Sequence, residues 1–197
     1  MIAKLRHFVP SFALTNIYKS LILTYLTYRL VAWGNTSKNY LNKIVVLQKR
    51  VLRLIYFVDR KEHAIPLFVN AKILPVTFLY YEAVCKLMFD VHNDSAPSNI
   101  TKLFTRTSNI HTYNTRSSTS QFFSVKYSRL KMQKKKAFSR VGVKVWNEMP
   151  NEYKNLSKKS FKKETKRALL NILETEDSYM EPDEIMLKFK HSKIESN

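Results

Sequence analysis

Tyr18 to Ile55 reads YKSLILTYLTYRLVAWGNTSKNYLNKIVVLQKRVLRLI, and its spacing decides the fold class. Leu14, Ile17, Tyr18, Leu21, Tyr25 and Tyr28 recur at three- and four-residue steps, which places them on one helical face. Gly34 follows Trp33 and offers the left-handed residue with which helices often end, and Ser37 offers an oxygen to cap the next helix. In that second helix Ile44, Leu47, Val51, Leu54 and Val58 form a seam that must bury against a partner. Lys43, Lys49, Arg50 and Arg53 fall on the flank away from the seam. The stretch therefore predicts a helical hairpin with an apolar inside and a basic outer face. The same spacing assigns Tyr18, Tyr25, Tyr28 and Trp33 to the core rather than to ligand stacking.

Outward from the hairpin, composition agrees with helices. Apolar residues make up 45% of the 197, and only two glycines occur, which suits packed helices better than a turn-rich sandwich. One cysteine, Cys85, excludes an internal disulfide framework and fits a reducing compartment. Lys4, Arg6 and His7 lead into Pro10 rather than a cleavage site, so no secretory signal is expected. The apolar run from Leu21 to Trp33 is too short to span a bilayer and is interrupted by Arg29. These features predict an intracellular protein, nuclear or cytoplasmic, that does not engage a membrane.

The formal charge is +19 and unevenly placed. Residues 1 to 58 hold nine Lys/Arg and no acid, and residues 101 to 167 hold eighteen against Glu148, Glu152 and Glu164. The last thirty residues reverse the sign, with three lysines and seven acids. A basic excess of this size points to a polyanion, with nucleic acid the commonest. Tyr113 beside Arg116 and Tyr127 beside Arg129 interleave rings with charge, as stacking and phosphate contact require. Lys134, Lys135 and Lys136 add a cationic block.

Taken in order, the chain predicts a helical bundle over 1–97, closed by a helix through Tyr80, Val84, Leu87 and Val91. A basic Ser/Thr-rich connection, partly extended with strand-like pieces at Gln121 to Tyr127, follows over 98–136. A helical segment runs over 137–173, with Phe138 to Trp146 ended by Met149-Pro150 and a last helix capped by Ser157 or Ser160. The acidic stretch over 174–197 reads as a loose tail. The fold class is mainly α.

Catalytic chemistry is hard to find. Asp59, Asp90, Asp94, Asp177 and Asp183 are scattered with no Asp-Asp pair, so a two-metal centre is not expected. Asp90 and Asp94, one turn apart, read as solvated helix-end residues. A restriction-like nuclease wants Pro-Asp before Glu-x-Lys, but Pro182-Asp183 comes after both Glu152-Tyr153-Lys154 and Glu164-Thr165-Lys166. One sulfur with the dispersed His63, His92 and His111 makes a poor zinc site, and Cys85 reads as a core residue. There is no nucleophile elbow and no glycine-rich phosphate loop. The expectation is a binding protein without enzymatic activity or cofactor of its own.

An ordered set of short motifs carries a resemblance. Tyr18-x-x-Leu21, Tyr25-Leu26-x-Tyr28, Trp33-Gly34, Leu47-Gln48-Lys49-Arg50 and Leu52-Arg53-x-Ile55 resemble the segment downstream of the catalytic palm in non-LTR retrotransposon reverse transcriptases of the jockey-like kind. His63-x-x-Pro66-Leu67-Phe68, Cys85-x-x-Met88-Phe89, His111-x-Tyr113-Asn114-Thr115-Arg116 and Gly142-x-x-Val145-Trp146-Asn147-x-x-Pro150 resemble the rest of that family's C-terminal part. Arg29 stands where such relatives usually carry a small residue. The resemblance implies a thumb-like first bundle that grips a template–primer duplex. It also implies that the metal-binding aspartates, and the Mg²⁺ they hold, belong to a palm outside this chain. The expected partners are RNA or an RNA–DNA duplex, and the palm and fingers of such a polymerase. The expected contacts are Lys43, Lys49, Arg50, Arg53, Arg116 and Lys134 to Lys136. The alternatives are a helical protein-interaction piece, or the relic of a retrotransposon without function.

Overall fold

A computed structural model describes residues 2–110, 122–125, 129, 137–176, 180 and 182–192. The protein is mainly α-helical, with one two-stranded sheet among the described residues. Two compact units divide the chain: residues 1–80 with 169–185, and residues 81–168 with 186–197. The expected 1–97 bundle thus contributes its first 80 residues to the first unit and the remainder to the second.

In the first unit, short helices α1 (Ile2–Leu5) and α2 (Ser11–Ile17) lead into a π-helical turn, Tyr18–Leu23. Helices α3 (Thr24–Thr27) and α4 (Leu30–Trp33) follow, then the long α5 (Lys38–Tyr56) and α6 (Ile65–Ala71). The π-turn has a consequence for the sequence pattern. One extra residue in a turn rotates everything downstream by about 100°. Leu14, before the π-turn, and Tyr18, its first residue, are fully buried, whereas Tyr25 and Tyr28, after it, are 83% and 66% exposed. The expectation that these two tyrosines pack in the core is therefore corrected.

Gly34 is corrected as well. Its φ is −68°, and the left-handed residue of this corner is Arg29, at φ 46°. Gly34 serves close approach instead, since a Cβ there would sit 2.4 Å from Tyr80 Cδ2. Ser37 occupies the N-cap of α5, but its side chain makes no capping hydrogen bond.

α5 packs against α1, α2 and α6. Its buried stripe is Leu41, Val45, Gln48, Leu52 and Ile55, not the expected Ile44, Leu47, Val51, Leu54 and Val58. Leu47 is 59% exposed. The stripe is one residue out of phase because a glutamine sits at its centre, where an apolar pattern has no reason to look. Gln48 satisfies its amide fully enough to be buried: Nε2 donates to the Tyr18 hydroxyl at 3.1 Å, and Oε1 accepts from the Val76 backbone N–H at 2.9 Å. α6 ends on Lys72 at φ 52°, with the Ile73 N–H bonded back to the Phe68 carbonyl.

The second unit is built on the latter part of α7 (Val76–His92). It continues through α8 (Ser98–Thr101), β1 (Thr105–Arg106), a 3₁₀ turn at Thr107–Asn109 and β2 (Phe123–Ser124). The strands pair antiparallel, Thr105 with Ser124 and Arg106 with Phe123, so β2 falls inside the expected Gln121 to Tyr127 piece. α9 (Phe138–Glu148) packs on β2, followed by α10 (Asn151–Lys154) and the start of α11 (Lys158–Glu176). Asn147 serves β2 as a neighbouring strand would: its Oδ1 accepts from the Phe123 N–H at 3.0 Å and its Nδ2 donates to the Phe123 carbonyl at 2.9 Å. Gly142 lies against Met88, whose Sδ would be 2.7 Å from an added Cβ. Ser157 caps α11 as expected, its Oγ accepting from the Ser160 N–H at 3.3 Å.

The core of this unit is aromatic. Phe89 stacks on Phe161 with centroids 4.3 Å apart, and Trp146 sits at 6.4 Å from Phe89. Cys85 is fully buried in it, and burial pushes its thiol far above the ordinary range, which fits the expected core role. The stretch expected to be a loose tail instead contains α12 (Pro182–Lys190); its Ile185, assigned to the first unit, and its Phe189, assigned to this one, are both wholly buried. Phe189 reaches Tyr81 and Tyr153 at 5.5 and 5.0 Å. Acidic residues at the start of this helix mask an apolar pair at four-residue spacing.

Candidate nucleic-acid interface

The one-residue shift of α5 re-sorts its four expected contact residues. Lys43 and Arg50, seven positions apart, lie opposite the Leu41–Ile55 stripe and are exposed. Lys43 Nζ stands 5.5 Å from the centre of the Tyr40 ring, itself 62% exposed. Lys49 and Arg53 are turned toward the flanks of the core and only half-exposed. The Lys49 stem lines a narrow crevice with Val45, Ile65, Phe68 and Pro75, and Arg53 Nε donates to the Glu62 carbonyl at 2.8 Å. The expectation that all four point away from the core is thus corrected to two. Arg116 and Lys134, Lys135 and Lys136 lie outside the described residues.

Sequence reasoning missed a second basic face. In α11, Lys159, Lys162, Lys163 and Lys166 are all exposed at three- and four-residue spacing, while Phe161, Thr165 and Leu169 are buried on the other side. The signal is present in KKSFKKETK, but attention to the apolar positions of that stretch passes over it. No carboxylate falls within this stripe, since Glu164 turns to Arg167 at 3.8 Å. Several cations of the second unit form ion pairs. Lys158 pairs Asp90 at 2.8 Å, Arg106 pairs Asp94 at 2.9 Å, and Lys190 pairs Glu148 at 2.6 Å. Asp90 and Asp94, which the sequence presents as merely solvated, thus each face a cation.

Lys154 is a different kind of cation. It is 5% exposed, and its Nζ lies 4.9 Å from the Phe122 ring and 5.6 Å from the Trp146 ring, with no hydrogen-bond acceptor. Burial pushes its pKa down to about 8. Glu152 is exposed, so the Glu-x-Lys pair does not share one environment. Among the described residues no three His, Cys, Asp or Glu side chains gather to hold a metal. No single helix among them is long and apolar enough to cross a membrane.

The arrangement is suited to phosphate contact, with cations on helix faces at positions whose own stripes hold no acid. Comparisons with protein-family models, with curated proteins and with solved structures find no match.

Proposed function

We propose that this chain binds nucleic acid duplex through its backbone, with the outer face of α5 and the lysine stripe of α11 as the contact surfaces. The observation that carries the reading is the segregation of cations at helix positions that hold no acid of their own. α5 lies in a 58-residue stretch without an acid, and the α11 stripe has four lysines with no acid among its positions. Solubility alone would be served by mixed charge; segregated cations favour a polyanion.

The resemblance of the motifs supports placing this binding in a reverse transcriptase of a non-LTR retrotransposon, as its thumb and post-thumb part, with an RNA–DNA duplex as the ligand. Polymerisation is not proposed for this chain, because its sequence carries no Asp-Asp pair. A second reading, a piece that docks on another protein, is favoured by Phe8 and Phe12, which are 86% and 70% exposed.

The test is fluorescence anisotropy of the full chain on a labelled RNA–DNA duplex of about 20 base pairs across a salt series. Neutralising Lys43 and Arg50, or the four α11 lysines, is expected to lower the salt slope by roughly one for each phosphate that is no longer engaged. The variants Lys49→Gln and Arg53→Gln should change it less. Affinity that does not vary with salt would sink the reading, and binding only to a protein partner would favour the second one.

A further inference from the structure

The π-turn creates a feature that the basic faces do not explain. Ser20, Leu21, Thr24, Tyr25 and Tyr28 line an open groove of about 290 Å³ in the first unit. Its walls are mostly apolar, formed by Leu21 and the Tyr25 and Tyr28 rings. The Ser20 and Thr24 hydroxyls are turned to backbone carbonyls, those of Ile17 at 3.3 Å and Ser20 at 2.7 Å. Tyr25 and Tyr28 are among the most exposed aromatics of the unit.

One ring stands at a braced position and beside a cation. Trp33 Nε1 donates to the Tyr28 carbonyl at 2.9 Å, fixing the backbone on which that ring is carried. The Arg29 guanidinium lies 5.4 Å from the Tyr28 ring centre. Lys19, also exposed, directly precedes the groove in sequence. Exposed aromatic faces with adjoining cations are the parts from which sequence-tolerant binding of unpaired bases is built, rings taking the bases and cations the phosphates.

From this geometry we infer that the Tyr25–Tyr28 groove is a subsite for unpaired nucleotides, stacking bases of a single strand. The partner is chosen by charge. The groove sits within residues 1–58, which carry nine cations and no acid. A second copy of the chain would bring like charge against like, whereas a single-stranded nucleic acid brings the opposite sign. The subsite rests on the duplex-binding reading only for the class of ligand, since none of its residues belongs to the α5 or α11 faces.

The experiment uses the full chain and a single-stranded oligonucleotide of about ten nucleotides carrying 2-aminopurine, with the duplex probe alongside. The expected result is quenching of the reporter by wild type. In Tyr25→Leu/Tyr28→Leu that quenching is lost and single-strand affinity falls roughly tenfold or more, while Tyr25→Phe/Tyr28→Phe keeps both. Duplex affinity should stay within about twofold, as the α5 and α11 cations are untouched. Unchanged quenching in the leucine variant overturns the subsite and leaves duplex binding standing. Wild type that binds neither probe at low salt overturns both readings. A wild-type dimer that the leucine variant disperses shows that the groove serves self-association and also overturns the subsite. Photocrosslinking of wild type to an iodouridine oligonucleotide gives a readout that needs no variant to fold: crosslinks at Tyr25 or Tyr28 support the subsite, and crosslinks only elsewhere refute it.

Discussion

Gln48 donates to the hydroxyl of Tyr18 at 3.1 Å across thirty residues of chain, and both side chains are buried. The same amide accepts from the Val76 backbone, so one side chain ties the turn before α3, the middle of α5 and the start of α7. Gln48→Leu keeps approximate volume but strands a buried hydroxyl and a buried N–H. Losing both bonds should cost roughly 2–4 kcal/mol. In a double-mutant cycle with Tyr18→Phe the two costs should be less than additive, because the second change removes a group already left unpaired. Urea unfolding followed by circular dichroism measures both. A Gln48→Leu protein as stable as wild type would show that the bridge contributes nothing.

That residue also marks how far the sequence can be read. The helices are legible because their apolar residues recur at helical spacing, and α5, α7 and α9 sit close to where periodicity puts them. The phase of α5 is not legible. Its centre is a glutamine whose burial depends on partners thirty residues before and twenty-eight after it, and a local pattern cannot contain those. The exposure of Tyr25 and Tyr28 is hidden for a related reason: a π-turn changes the period, and nothing in Tyr18–Leu23 announces it. Consequently the expected outward orientation holds for Lys43 and Arg50, while Lys49 and Arg53 lie on the flanks of the core. The α11 stripe is legible in principle, because Lys159, Lys162, Lys163 and Lys166 keep strict helical spacing.

Lys154 makes stability depend on pH in an unusual direction. Its folded pKa of about 8 lies below the ordinary 10.5, so the unfolded chain holds a proton that the folded one releases between those values. Stability therefore rises as pH climbs through that window, and the full penalty of a buried charge is felt below about pH 8. Tyr80, pushed up to about 12 by burial, acts oppositely: above pH 10 the unfolded tyrosine ionises first and stability falls. Thermal melts should give a maximum between about pH 9 and 10. Lys154→Met should flatten the rise and stabilise the protein at pH 7, by on the order of 2 kcal/mol. A wild-type melting temperature that falls steadily from about pH 7 to 10 would contradict the burial of this amine.

Arg29 sets stability against binding at one position. Its φ of 46° costs a non-glycine residue about 1 kcal/mol, and its guanidinium supplies the charge over Tyr28. Arg29→Gly relieves the strain but adds freedom to the unfolded chain, so the net gain should be about 0.5 kcal/mol. The same change should weaken single-strand binding several-fold through loss of the cation beside the ring. Arg29→Asn separates the two effects, because asparagine tolerates the left-handed region and carries no charge; it should keep the stability and lose the affinity. Arg29→Lys should do the reverse, retaining most of the binding and none of the gain in stability. Thermal melts and the 2-aminopurine titration on the same three proteins decide the matter. Affinity that follows stability rather than charge would mean that Arg29 acts only through the backbone of the corner between α3 and α4.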